Sequence, residues 1–411
     1  MKKHINKTVF IFLLVVLAGP FFSFSQDDWK NHPFINYSYN RFYFGKDSLA
    51  FMKLCGRLNT LSSSNPERIN VVHFGGSHVQ GGIWSNTFVT LLQKRFAPDG
   101  GGYFVFPYRM GKTNGQPYAR SFTTGKWKLC RSLGVNPCYP LGPCALSLKT
   151  TEACTFGACL TTEAVCKKTN RVKVYHNFCP GYELKLVHPP GGAKQADWKE
   201  QGYSLFEWEQ PVDSVVFELK KLDTLQNEFI LFGLSLENTG PGGIYFAGLG
   251  ANGASSATFL RCNDLEKQLR DISPDLVIMS LGVNDTQSKG FAKEDYIEHY
   301  DSLIAIIRKA SPKAQILLTT TTDNYVKRKS SNKRTIPARD AMFELMEKHH
   351  VAVWDLFSLM GGYKSISRWY KAGLAVKDKV HFTARGYVLI GRLQYEAFMK
   401  AFDQQTKIQR Q

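Results

Sequence analysis

Apolar and polar positions follow two different patterns along this chain of 411 residues. In its first and last parts, short apolar runs typical of buried strands alternate with segments whose apolar residues recur every three to four positions, as in helices. The pattern predicts helix 47–61, strand 69–74, helix 83–96, a helix ending at 269, strand 276–281, helix 293–309, strand 315–321, helix 337–349, strand 351–354 and helix 384–402. Strands alternating with helices predict a parallel sheet covered on both faces.

Between these parts the pattern changes to short strands in which apolar residues occupy every second position. The clearest examples cover 172–175, 182–187, 204–208, 214–219 and 229–236. Repeated short strands with turn residues between them predict an antiparallel, jelly-roll-like sandwich. We therefore expect an α/β domain in two parts, 26–118 and 243–411, interrupted by a β-rich and cysteine-rich insert at 119–242.

The first 25 residues have the organisation of a secretory signal. Basic residues precede an apolar run at 9–18, and small residues at 23–25 suit cleavage before Gln26. A membrane anchor is the alternative, but this run is shorter than the roughly 20 residues that a spanning helix needs. No cysteine stands at the cleavage point to carry a lipid, since the first is Cys55. We expect a periplasmic or secreted protein whose mature chain has no transmembrane helix.

Charge narrows the choice of partners only slightly. The formal net charge is +18, which suits nucleic acid, an acidic envelope polymer or simple solubility. The basic residues are spread along the chain, and the densest run, at 327–334, is short. A solvated loop therefore explains that run better than a binding patch does, and we expect no nucleic-acid partner. The sequence leaves the oligomeric state open.

Cysteines are concentrated inside the predicted insert. Seven of the nine are Cys130, Cys138, Cys144, Cys154, Cys159, Cys166 and Cys179. In an exported protein this density predicts disulfides, whose pairing the sequence does not determine. Zinc is the alternative, but there is no Cys-x-x-Cys, and His176 and His188 have no partner at ligand spacing. We expect no metal site, and an odd total leaves at least one thiol unpaired within the chain.

Three loops carry residue types that a serine hydrolase needs, namely a nucleophile, a base with an orienting carboxylate, and donors for an oxyanion. Ser77 directly follows the first apolar strand, at the edge where open α/β sheets bind ligands. Asn284 follows the strand 276–281, and Asp378 stands three residues before His381. Each segment alone has an ordinary explanation, as a glycine loop, an Asn-Asp turn or a capping pair. Their combination is much more specific.

Together these segments resemble the four blocks of the SGNH/GDSL hydrolases, in order and in position relative to the strands. The segments are Gly75-Gly76-Ser77-His78, Gly250-Ala251-Asn252-Gly253-Ala254, Gly282-Val283-Asn284-Asp285 and Asp378-Lys379-Val380-His381. The resemblance implies a flavodoxin-like, three-layer αβα domain with Ser77 as nucleophile, His381 as general base and Asp378 as the residue that orients it. It also implies an oxyanion hole made by the backbone amides of Ser77 and Gly253 and the side chain of Asn284. Such enzymes need no cofactor and no metal.

Gly76 and His78 flank the predicted nucleophile. The first family block commonly reads Gly-Asp-Ser, and this chain has Gly76 in place of the aspartate. Because that aspartate usually organises the loop, the change bears on loop rigidity and rate more than on mechanism, although it leaves a non-catalytic protein as an alternative. His78 either lines the substrate site or hydrogen-bonds within the loop.

A narrower resemblance concerns the substrate. The histidine after the serine, the segments 106–108 and 112–115, and the β-rich insert are similar to envelope SGNH proteins related to peptidoglycan O-acetylesterases, whose insert is similar to a carbohydrate-binding module. This implies an esterase acting on O-acetyl groups of a cell-envelope or extracellular polysaccharide. The alternatives are a lipase or thioesterase with the same triad, and a glycan-binding protein that retains the fold without catalysis.

Overall fold

Helices and strands alternate in both flanking parts of the chain, as predicted. The computed structural model describes residues 32–46, 48–62, 67–97, 100–133, 138, 140–223 and 227–409. The predicted signal at 1–25 lies outside these residues. Within them, no helix combines the length and the apolar character needed to cross a bilayer.

Before the predicted insert, the described residues form three strands and three α-helices: β1 (Phe42–Phe44), α1 (Leu49–Asn59), β2 (Ile69–Gly75), α2 (Ser77–Gln80), α3 (Ile83–Phe96) and β3 (Gly101–Val105). In the described residues between 119 and 238, ten strands follow without a helix: β4 (Ala119–Thr123), β5 (Lys128–Arg131), β6 (Leu146–Thr150), β7 (Cys154–Leu160), β8 (Thr169–His176), β9 (Tyr182–His188), β10 (Lys194–Trp198), β11 (Tyr203–Val212), β12 (Ser214–Lys221) and β13 (Phe229–Asn238).

The last part returns to alternating elements: β14 (Ile244–Gly250), α4 (Ser256–Phe259), α5 (Leu265–Ile272), β15 (Leu276–Ser280), α6 (Val283–Gln287), α7 (Lys293–Ala310), β16 (Gln315–Thr319), β17 (Tyr325–Val326), β18 (Ser330–Ser331), α8 (Thr335–His349), β19 (Ala352–Trp354), α9 (Leu356–Leu359), α10 (Ile366–Lys371) and α11 (Ala384–Gln409). Short 3-10 helices lie at Tyr37–Tyr39 and Thr60–Ser62.

Parallel strands form one half of the main sheet, in the order β19-β16-β15-β2-β14-β3. All residues of β2 are buried, as expected for a strand inside a parallel sheet with both faces covered. Helices α1, α3 and α11 pack together, as do α5, α7 and α8. The result confirms the predicted αβα architecture.

The antiparallel strands between residues 119 and 238 form two sheets packed as a sandwich. One continues the main sheet, because β13 pairs antiparallel with β3 and is followed by β8, β11 and β10. The other has the order β4-β7-β12-β9. Aromatic rings fill the space between them, including Phe206 against Phe217 and Phe156 against Phe229. The insert and the parallel sheet therefore share one continuous backbone hydrogen-bond network.

The sequence predicts disulfides in the cysteine-rich segment but neither their number nor their pairing. Among the described residues one disulfide is formed, between Cys130 and Cys138. Cys144 and Cys262 are instead buried as thiols, and burial raises the pKa of each to about 12. These cysteines act as small apolar residues of the core. The density of cysteines reflects packing to a greater extent than cross-linking. Nor do the described residues contain a group of three or more His, Cys, Asp or Glu side chains suited to a metal ion.

Candidate active site

The register of three adjacent strands explains why distant segments meet. Gly75, the last residue of β2, pairs with Gly250 on one side and with Ser280 on the other. These partners are the last residues of β14 and β15. Because parallel strands point the same way, the loops that follow them begin at the same level along the carboxyl edge of the sheet.

Ser77 begins the short helix α2, directly after β2. The turn is tight, since a Cβ added at Gly75 would lie 2.2 Å from a side-chain methyl of Val79. Glycine there lets the helix fold back against the end of the strand. Ser77 itself remains partly exposed.

Hydrogen bonds connect Ser77, His381 and Asp378 in a row. The Ser77 Oγ lies 2.8 Å from His381 Nε2, and His381 Nδ1 lies 2.7 Å from Asp378 Oδ2. The other carboxylate oxygen, Oδ1, accepts the backbone N–H groups of Val380 and His381. Burial alone would raise the pKa of Asp378, but these hydrogen bonds outweigh it and hold the pKa below its usual value. Asp378 is therefore an ionised carboxylate that fixes the His381 ring.

The loop that carries Asp378 and His381 is held at several points. Val376 donates its N–H to the His381 carbonyl, and Lys379, with a positive φ of 53°, donates to the Val376 carbonyl. From a neighbouring strand, the backbone N–H of Tyr325 donates to the Lys379 carbonyl. These bonds fix the loop before any substrate binds, as precise catalysis requires.

Donors suited to an oxyanion lie beside Ser77. Asn284 Nδ2 donates one hydrogen bond to the Ala254 carbonyl at 2.7 Å, which leaves its second amide hydrogen for another acceptor. A Cβ added at Gly76 would be 3.0 Å from this nitrogen, so Asn284 adjoins the residue before the serine. Gly253 and Asn284 line the same cavity of about 310 Å³.

Asp285 stabilises the two loops that carry Gly253 and Asn284. Its carboxylate accepts both the N–H and the hydroxyl of Ser256, at 3.0 and 2.6 Å. The Ser256 hydroxyl also lies 3.1 Å from His299 Nδ1. Burial raises the pKa of Asp285. The side chain ties the loop after β14 to the loop after β15, and so fixes Gly253 relative to Asn284.

His78 packs against His381, the candidate base. Its Nδ1 lies 2.7 Å from the Tyr387 hydroxyl, and its ring centre is 5.4 Å from that of His381. Burial, assisted by His381, lowers the pKa of His78 to about 3. The ring is thus neutral and places no positive charge beside His381. Its Nε2 is buried without a hydrogen-bond partner among the described residues.

The sequence interpretation missed Gln80, which connects three segments of the site. Its Oε1 accepts the backbone N–H of Asn252 at 2.6 Å, and its Nε2 donates to the Asn114 carbonyl at 2.7 Å. The Asn252 side chain also donates to Asn114 Oδ1. Gln80 lies three residues after Ser77 in the same short helix, and this spacing was the available signal.

Comparison with known proteins agrees with this geometry. Residues 231–389 match the model of the GDSL-like Lipase/Acylhydrolase family. That segment contains the loops of Gly253, Asn284, Asp378 and His381, and Ser77 lies ahead of it because the β-rich insert intervenes. Residues 231–389 therefore resemble the GDSL-like acylhydrolases in sequence, and the fold and the site geometry agree with those of an SGNH carboxylic ester hydrolase. No curated protein sequence is detectably similar to it.

One solved structure shares the fold over most of the chain, and others align with part of it. One described as "Peptidoglycan O-acetylesterase in action, 5 min" is 19% identical, with a TM-score of 0.69, and the alignment covers 90% of this chain and 98% of that one. A lipase/acylhydrolase from Enterococcus faecalis is 20% identical over 39% of this chain and 77% of its own, with a TM-score of 0.31. A carbohydrate esterase family 3 protein from Talaromyces cellulolyticus is 16% identical over 39% and 73%, also with a TM-score of 0.31. The first comparison extends through the insert as well as the α/β domain.

Proposed function

We propose that this esterase removes O-acetyl groups from a polysaccharide, using Ser77 as nucleophile, His381 as general base and Asp378 as the residue that orients it. The observation that carries the proposal is the row of hydrogen bonds from Ser77 Oγ through His381 to Asp378. A serine hydroxyl is a weak nucleophile unless a base accepts its proton.

The chemistry follows from these contacts. His381 Nε2 takes the Ser77 proton as Oγ attacks the acetyl carbonyl, and Asp378 stabilises the imidazolium that forms. The backbone amides of Ser77 and Gly253 and the Asn284 amide donate to the oxyanion. His381 then protonates the departing sugar oxygen, leaving an acetyl-enzyme. Water, deprotonated by His381, releases acetate and restores Ser77.

Two observations support an O-acetylated polysaccharide as substrate. The structure that aligns over both the catalytic domain and the insert is described as a peptidoglycan O-acetylesterase. The signal-like segment at 1–25 suits export to the compartment where envelope and extracellular polysaccharides occur. We therefore place the enzyme in the periplasm or outside the cell. Amino-terminal sequencing of the exported protein should begin at Gln26.

Acetate release from p-nitrophenyl acetate and from O-acetylated polysaccharides tests the proposal. Wild type should hydrolyse both, and Ser77→Ala should lose activity by about a thousandfold or more. Equal rates for the two proteins would exclude Ser77 as the nucleophile. A preference for p-nitrophenyl octanoate over the acetate would favour a lipase or thioesterase instead. Absence of hydrolysis of every ester would favour a glycan-binding protein without catalysis.

A further inference from the structure

We infer that a basic groove leading away from the candidate active site binds a carboxylate-bearing polysaccharide, an inference that rests on the proposed function and specifies its substrate. The groove begins at Asn114, whose Oδ1 accepts hydrogen bonds from Asn252 and Gln80. Asn252 directly precedes Gly253, and Gln80 lies on the helix that begins with Ser77. A polysaccharide bound in the groove would therefore lie only a few sugar units from the ester at Ser77.

The first section of the groove is a cavity of about 400 Å³ lined by Asn114, Gln116, Arg109 and Arg120. Both arginines are exposed at its edge. The buried Gln116 donates its amide hydrogens to Tyr108 Oη and the Gly248 carbonyl. Because both hydrogens are used within the protein, Gln116 can contact a sugar hydroxyl only through Oε1, as an acceptor.

The second section is a cavity of about 500 Å³, and it shares Glu163 with the first. Lys94, Lys167 and Arg392 line it. Asn86, only 6% exposed, also lines this cavity, and its Oδ1 has no hydrogen-bond partner among the described residues. A buried, unpartnered acceptor is costly unless a ligand or water satisfies it. The second section therefore also suits a hydroxyl-rich ligand.

Charge determines the class of ligand. Within the described part of the chain, the five cations of the two sections form no ion pair, and Glu163 is the only acidic residue that lines them. An exposed charge pair contributes little by itself, so these cations are effective only against a ligand that carries several negative charges. A polymer with a carboxylate on successive sugars meets that requirement.

A single-stranded nucleic acid is also a polyanion, but the lining argues against it. Nucleic-acid channels combine basic residues with exposed aromatic rings on which bases stack. The aromatic residues of the first section, Phe106 and Tyr108, are both only 2% exposed. Amide oxygens that can accept hydrogen bonds from sugar hydroxyls, together with the cations, favour an acidic polysaccharide.

Calorimetric titration with oligogalacturonates tests the groove independently of turnover, in a Ser77→Ala background that cannot hydrolyse esters. The groove variants are Arg109→Gln/Arg120→Gln and Lys94→Gln/Arg392→Gln. The control is Lys53→Gln/Lys313→Gln, two exposed cations, of which Lys313 lies before the amino end of β16, away from the carboxyl edge. Thermal melts of all variants verify that each is folded.

Each groove pair should weaken binding about tenfold at low salt, and the control pair should not change it. Affinity should fall as salt is raised, because the contacts are between exposed charges. The inference is overturned if the Ser77→Ala protein does not bind oligogalacturonate, if groove and control pairs behave alike, or if an oligodeoxythymidylate of equal charge binds as tightly. Acetate release by wild type is measured separately, so a failure of the esterase proposal remains distinguishable from a failure of the groove.

Discussion

The replacement of the family's aspartate by Gly76 leads to a direct test of the oxyanion site. We predict that Gly76→Ala lowers kcat while leaving substrate affinity and folding almost unchanged. The φ of Gly76 is −88°, on the side that other residues also adopt. The expected loss therefore comes from contact with a neighbour and not from a left-handed backbone.

The structure sets the size of the effect. The added Cβ would lie 3.0 Å from Asn284 Nδ2 and 3.3 Å from the Ala254 carbonyl oxygen. Asn284 is itself held by its hydrogen bond to that oxygen, so it must shift by a few tenths of an ångström. Complete loss of one oxyanion donor costs roughly 10²- to 10³-fold in kcat, and a partial displacement should cost about tenfold. The larger Gly76→Asp change should cost more.

Steady-state hydrolysis of p-nitrophenyl acetate provides the assay. Gly81→Ala is a matched control, because this residue ends the same short helix and its added Cβ meets nothing closer than 3.4 Å. The control should retain wild-type kcat. If Gly76→Ala is as active as wild type, the position of Asn284 does not limit the reaction, and its assignment as an oxyanion donor is wrong.

Three further predictions concern Asp378, Tyr387 and the buried His73. Asp378→Asn should lower kcat by roughly a thousandfold, because His381 Nδ1 loses its carboxylate acceptor; a loss below tenfold in the ester assay would contradict this role. Tyr387→Phe removes the 2.7 Å hydrogen bond to His78 and should lower kcat about fivefold with KM unchanged; an equal rise in KM would instead indicate a substrate contact. Burial lowers the pKa of His73 to about 3. The free energy that the buried, neutral His73 ring contributes to folding is therefore fully present above pH 6.5, and it is lost as the pH falls toward 3. From pH 7 to pH 5 the free energy of unfolding should drop by about 2 kcal/mol on its account, and urea titrations of His73→Gln should show a correspondingly smaller drop.

The sequence predicted the order of the α/β elements because their apolar periodicity is strong. It did not reveal β14 or β3, although both lie inside the main sheet next to the candidate site. Both strands contain glycines that weaken the usual strand signal, and both are wholly buried, so they show no alternation of apolar and polar positions. Their place in the sheet is set by tertiary pairing with β2 and β13, which no local pattern records.

At the candidate site, the order and spacing of the four sequence blocks were sufficient to predict which residues lie together. Ser77, His381 and Asp378 come together as the four-block resemblance implied. The surrounding network was not predictable in the same way, since Gln80, Asn114 and Tyr387 acquire their roles only through long-range contacts. The number and the pairing of the disulfides were not predictable for a related reason, because cysteine density does not report whether two sulfur atoms face each other.

Continuity of the sheet bears on how a polymer would be positioned. Had the insert been a separate module on a linker, a chain bound to it could approach Ser77 in many registers. Instead β13 of the insert pairs directly with β3, which pairs with β14, which pairs with β2. Backbone hydrogen bonds therefore connect the insert to β2, the strand that directly precedes Ser77. A polysaccharide held in the basic groove would keep one register relative to Ser77, so specificity for the acetylated sugar can be set by binding several residues away from the ester.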